Sequence, residues 1–149
     1  MKKRFLSAAA TAAIVGTGAF AGPAAATPAE GDLERTDISK GTTDAPIAIV
    51  AAGQQTAFYI QEVELAPGAS SGWHTHSGPE YSNVTDGTVW VQSAPGCAAI
   101  PYSAGQSVFV QTGVPHRVFN QGTDDAVATV TYTLPAQNPV RDDAPAACP

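Results

Sequence analysis

Turn signals recur at short intervals along most of this 149-residue chain, and they constrain its fold more than any other feature. The pairs Pro67-Gly68, Gly78-Pro79, Asp86-Gly87, Pro95-Gly96 and Ala104-Gly105 each break the chain before a helical period can establish itself, as do Gly113-Val114-Pro115 and Gly122-Thr123. The segments between them read as strands at 56–66, 73–76, 80–85, 88–92, 107–111, 116–120 and 126–134. In the first, Tyr59, Gln61, Val63 and Leu65 fall on one face and Glu62 and Glu64 on the other, the pattern of a strand half in water. Many short strands without a helical stripe imply an all-β sandwich or barrel.

The flanks of this region have a different character. Residues 1–26 read as a secretory signal: Lys2, Lys3 and Arg4 precede an uncharged, alanine-rich run over 5–20, and small residues then offer cleavage after Ala26 or, alternatively, Ala21. The run is too short and too rich in glycine for a spanning helix, which needs about 20 apolar residues. Lys2-Lys3-Arg4-Phe5-Leu6 is similar to a twin-arginine signal with lysines in place of both arginines, so general secretion of an unfolded chain is expected. Residues 27–46 read as an irregular arm over the domain edge, 47–135 as one β domain with a first strand near 47–51, and 136–149 as a tail.

Cys97 and Cys148 are an even pair in an exported chain, so a disulfide tying the tail to a mid-chain loop is expected. The formal net charge of −6 becomes −9 once the three basic residues of the leader are removed. Only Arg35, Lys40, Arg117 and Arg141 remain as cations, which argues against nucleic acid and, after signal cleavage, against a membrane surface as partner.

The chemistry concentrates in the three histidines. His74 and His76, two apart on an extended strand, point to one side, and Glu80 follows a Gly78-Pro79 bend that can return its carboxylate toward them. Two imidazoles and a carboxylate suit a metal, although a His-x-His pair on a strand is equally compatible with exposed or hydrogen-bonded rings. His116 shares a strand face with Val118 and Asn120, opposite Arg117 and Phe119.

Together these segments resemble the cupin superfamily. Gly68, His74, His76, Glu80 and Gly87 reproduce its first motif, Gly-x5-His-x-His-x3-Glu-x6-Gly. Gly105, Gly113, His116 and Asn120 reproduce its second, Gly-x5-Pro-x-Gly-x2-His-x3-Asn, with Gln111 in place of the proline. The resemblance implies an antiparallel jelly-roll β-barrel, the double-stranded β-helix of cupins, with a metal held by His74, His76, Glu80 and His116. Asn120 is assigned a structural role or a place behind the ligands.

A three-histidine, one-carboxylate set suits a divalent transition metal, Mn or Fe first, with Ni, Cu or Zn also compatible. Six-coordination would leave two positions for Lewis-acid or oxygen chemistry. No inward cation is evident from the strand pattern, so an uncharged or weakly acidic small molecule is expected in a pocket lined by Tyr59, Gln61, Val118 and Tyr132. The two functional expectations are a dioxygenase-type oxidoreductase acting on a small enol or aromatic compound, and a non-catalytic extracellular cupin binding a metal or small molecule. A homodimer is compatible with either.

Overall fold

The computed structural model describes residues 37–45, 47, 48 and 55–149. The leader at 1–26, most of the expected strand at 47–51 and the start of the arm lie outside the described residues. The described residues contain nine strands: β1 Thr56–Leu65, β2 His74–Thr75, β3 Glu80–Asp86, β4 Thr88–Ser93, β5 Ala99–Ser103, β6 Ser107–Val110, β7 His116–Phe119, β8 Ala126–Pro135 and β9 Asp142–Asp143. The described residues contain no helix.

The strands form two antiparallel sheets, one ordered β1-β8-β3-β6 and the other β5-β4-β7-β2-β9. Inward positions alternate along β3, β6 and the first part of β8, as a half-buried sheet demands. On β3, Glu80, Ser82 and Val84 are buried, and on β8 the buried positions include Ala126, Ala128, Val130 and Tyr132. Leu65, Val84, Val89 and Ala126 pack at one end of the interior, while Val91, Val108 and Val110 pack along one flank. Burial of the leucine and valine side chains, each worth about 1.5–3 kcal/mol, holds the two sheets face to face.

Two strands were not legible as strands. β5 contains Pro101, which cannot donate to a ladder, and it is accordingly an edge strand with four of its five residues exposed. β9 is two residues long and pairs only with β2, matching His74 to Asp143 and Thr75 to Asp142. The Gly78-Pro79 bend lies hard against β8, where a Cβ on Gly78 would sit 1.9 Å from the Thr133 carbonyl oxygen. That close approach lets the chain cross from β2 in one sheet to β3 in the other. The described part of the arm lies along the β6 edge: the Thr42 N–H donates to the Gly105 carbonyl and the Ser107 N–H to the Thr42 carbonyl.

Candidate metal centre

Register brings the two histidine segments together. β2 pairs with β7 so that His74 stands directly opposite His116, with ring centroids 4.2 Å apart. His76 follows at the end of β2, its ring 4.9 Å from that of His74 and 5.2 Å from that of His116. Glu80 reaches in from the opposite sheet, where it begins β3 beside Tyr132 of β8. All four side chains are buried, and their donor atoms lie within 4.8 Å of one another.

Each imidazole is oriented by a backbone carbonyl. His74 Nδ1 donates to Gly72 O at 2.9 Å, His116 Nδ1 to Val114 O at 3.0 Å, and His76 Nδ1 to Val140 O. A carbonyl only accepts, so Nδ1 carries the proton and Nε2 presents a lone pair. Glu80 is oriented as well, because Ser82 Oγ donates to its Oε1 at 2.8 Å and leaves Oε2 facing the histidines. His76 Nε2 and His116 Nε2 then lie 2.8 and 3.3 Å from Oε2 as acceptors facing an acceptor, buried and without a hydrogen-bond donor.

Such an arrangement is favourable only when a cation occupies the space between. A proton serves one nitrogen at a time, whereas a transition ion with bonds of about 2.0–2.2 Å serves the whole set. The donors therefore fit a metal, and the three carbonyls plus Ser82 supply the outer hydrogen bonds that hold such ligands in place.

In the absence of a metal, a proton placed on Nε2 supplies the cationic partner instead: burial pushes the Glu80 carboxyl up, but hydrogen bonds and charge from His116 and His76 outweigh it and hold the group well below the usual carboxylate range, so it remains ionised. Burial lowers His74 from 6.5 to about 4; the Gly72 carbonyl opposes this and the charges of His116, Arg141 and His76 add to it. Burial and the Glu80 charge raise Tyr132, whose phenol stays protonated at neutral pH.

A pH dependence follows for the metal-free protein. The folded-state value of His74 lies below its unfolded value, so between pH 6.5 and about 4 the unfolded chain binds the extra proton. The contribution is full above pH 6.5 and lost as pH falls toward 4. The thermal midpoint is expected to drop across that window, and His74→Gln to flatten the slope there; an identical slope in the variant would count against the assignment.

His74, His76 and Glu80 form one wall of a cavity of about 270 Å³ lined otherwise by Gln61, Ser71, Ser82, Tyr132, Arg141 and valines of both sheets, among them Val118. Tyr59 is not among these residues. It stands directly opposite Tyr132 on the same face of the sheet, but at the uncovered end of β1, where it is 44% exposed with its ring 6.4 Å from that of Tyr132. Asn120 is buried away from the histidines: its Nδ2 donates to the Leu65 and Asp124 carbonyls, each at 2.8 Å, and its Oδ1 accepts from Gly122 N–H at 2.7 Å. It closes the loop after β7.

Arg117 lies on the outer face, 5.7 Å from Trp73 and 4.8 Å from Phe119, and donates to Gln92. The expectation of a pocket without an inward cation is corrected by Arg141, which β9 brings to the cavity wall. Neither it nor Ser82 carries a motif signal. Ser82 was reachable from the two-residue period of β3, which puts it on the face of Glu80. Arg141 was not, because its position depends on where the tail returns.

That return is fixed at several points. The Ala144 N–H donates to the Trp73 carbonyl at 3.0 Å, and Cys148 is disulfide-bonded to Cys97 with Cα atoms 5.6 Å apart. The tail is thus a strap across the site.

Comparison with known proteins bears on this geometry. The family model for the Cupin domain matches residues 61–132. The beta-alanine degradation protein BauB of Pseudomonas aeruginosa is 38% identical over 74 residues, covering 48% of this chain and 77% of that protein. Among solved structures, an oxalate oxidase aligns with a TM-score of 0.51 and 25% identity over 58% of this chain and 45% of its own. The polyketide cyclase RemF from Streptomyces resistomycificus aligns with a TM-score of 0.51 and 19% identity over 58% of this chain and 59% of its own, a likeness of fold alone. The chain therefore spans about half the length of these two solved relatives.

Proposed function

The chain belongs to the cupin superfamily, and from that membership we propose that it is an exported metalloprotein that turns over a small enol or aromatic compound as an oxidoreductase. In this reading His74, His76, Glu80 and His116 hold one divalent transition metal, with Mn or Fe favoured. The observation that carries it is the commitment of all three Nδ1 atoms to carbonyls, which leaves three Nε2 lone pairs converging on an ionised carboxylate.

When bound, such a metal supplies Lewis-acid and redox chemistry beside an apolar cavity. The chain's own residues do the rest. Valines of both sheets exclude water, the Tyr132 hydroxyl stays protonated and so able to donate, and Gln61 offers an amide at the cavity wall. The structural likeness to an oxalate oxidase supports the oxidoreductase class. Export is supported by the leader pattern and by the Cys97–Cys148 disulfide, a bond characteristic of oxidising compartments.

A second reading, a non-catalytic extracellular binder, is favoured by one observation. Among the described residues lining the cavity, the titratable side chains other than the four ligands are Tyr132 and Arg141, neither of which is a general base at neutral pH. Purified protein is expected to carry about one transition ion per chain, and adding the ion to metal-free protein should raise the thermal midpoint. Unchanged stability with Mn, Fe, Ni, Cu and Zn would sink the metal assignment. Oxygen uptake by metal-loaded protein with catechols, flavonols or diketones separates the readings, and no uptake across the series decides for the binder.

A further inference from the structure

We propose that Arg141 makes this cavity a carboxylate site, so that the ligand is a small enolic or aromatic acid whose anionic head pairs with the guanidinium while its body lies among the valines. The inference rests on the metal reading above and names its substrate class.

Arg141 sits in the strap, next to β9, at the wall of the same cavity as the ligand cluster. Its Nε donates to Asp143 Oδ1 at 2.9 Å, and its Nη2 makes an ion pair with the same oxygen at 2.8 Å. A guanidinium has five N–H donors in a rigid fork. Asp143 therefore occupies one edge and steadies the group, while the Nη1–Nη2 edge keeps the paired donors that match a carboxylate.

The balance of charge favours an anion. The Asp143 side chain is 86% exposed, so water screens much of its charge, whereas the Glu80 carboxylate is buried against the histidines. A divalent ion, Glu80 and Arg141 together leave the cavity net positive. Its remaining wall comes mainly from valines of β1, β4, β6, β7 and β8, which suits an apolar body rather than a second charge. At about 270 Å³ the cavity suits a molecule of one ring or a short chain.

The test is calorimetric, with salicylate and benzoate as acids and salicylamide and benzamide as their neutral isosteres, on Mn(II)-loaded and on metal-free protein. The wild-type protein is expected to bind an acid at least about tenfold more tightly than its amide, the scale of one hydrogen-bonded charge. Arg141→Gln should remove that preference by weakening acid binding far more than amide binding, and Arg141→Lys should restore part of it.

Three results would overturn the proposal: no acid preference in the wild-type protein, a preference that survives Arg141→Gln, or equal loss of acid and amide binding, which marks a structural role. Failure of the wild-type protein to bind Mn(II) would instead count against the metal reading. The metal-free titrations then decide the present inference, upheld by an acid preference that depends on Arg141 and overturned without one.

Discussion

His76→Ala is expected to lower metal affinity by well over about 100-fold, more than the 10–100-fold typical of losing an outer hydrogen bond to a ligand. The alanine removes one of three converging Nε2 donors and leaves the Val140 carbonyl without its imidazole. It also opens a void beside Tyr132, whose ring centroid is 4.7 Å from that of His76. Direct titration of metal-free protein reads the loss. Arg117→Ala is the matched control, because that guanidinium lies on the outer face between Trp73 and Phe119 and donates to Gln92. Metal binding that persists in His76→Ala, or disappears equally in Arg117→Ala, would refute the ligand assignment.

Breaking the strap is expected to have the second largest effect. In Cys97→Ser/Cys148→Ser the tail loses its covalent anchor, and the segment around the two-residue β9 is held by its ladder to β2, the Ala144–Trp73 hydrogen bond and the His76–Val140 hydrogen bond. The bond closes a loop with a sequence separation of 51 residues, for which chain entropy alone predicts a loss of about 4 kcal/mol. More specific is the consequence at the site. Val140 precedes β9 and supplies the carbonyl that fixes the His76 tautomer, so a loosened strap should cost about 10–100-fold in metal affinity even below the unfolding temperature. Titrations at a temperature where the variant is fully folded isolate that effect. Affinity equal to that of the oxidised wild-type protein would show that strand pairing and hydrogen bonds hold the strap without the disulfide.

The two predictions concern parts of the site that differ in how far the chain reveals them. His74, His76 and Glu80 lie close together in sequence, and strand alternation with one bend is enough to bring them near a common point. Ser82 could be added by the same period. Tyr59 was misplaced by that reasoning, since alternation assigns a face but not the end of a strand at which the sheets stop covering it; at 44% exposure its ring lies outside the cavity. β5 escaped notice because Pro101 is unfavourable in any strand except one at an edge.

The tail hid more. Its strand is two residues long and its neighbours include Pro139 and Pro145, so no period marks it. Pairing of Cys97 with Cys148 was expected from an even cysteine count behind a leader-like segment, yet that pairing says only where the tail ends, not that Val140 and Arg141 meet the histidines on the way.

By itself, then, the sequence determined an all-β domain, because turn chemistry and strand period are local properties, and its resemblance to the two cupin motifs supplied the residue types gathered at the site. The tertiary structure alone decided that His74 faces His116 across a strand pair, that Glu80 closes the set from the other sheet, and that the tail brings a carbonyl and a guanidinium to the same cavity. Those placements depend on register and on contacts between distant segments, which arise from the packing of the whole barrel and leave no periodic trace in any one stretch of chain.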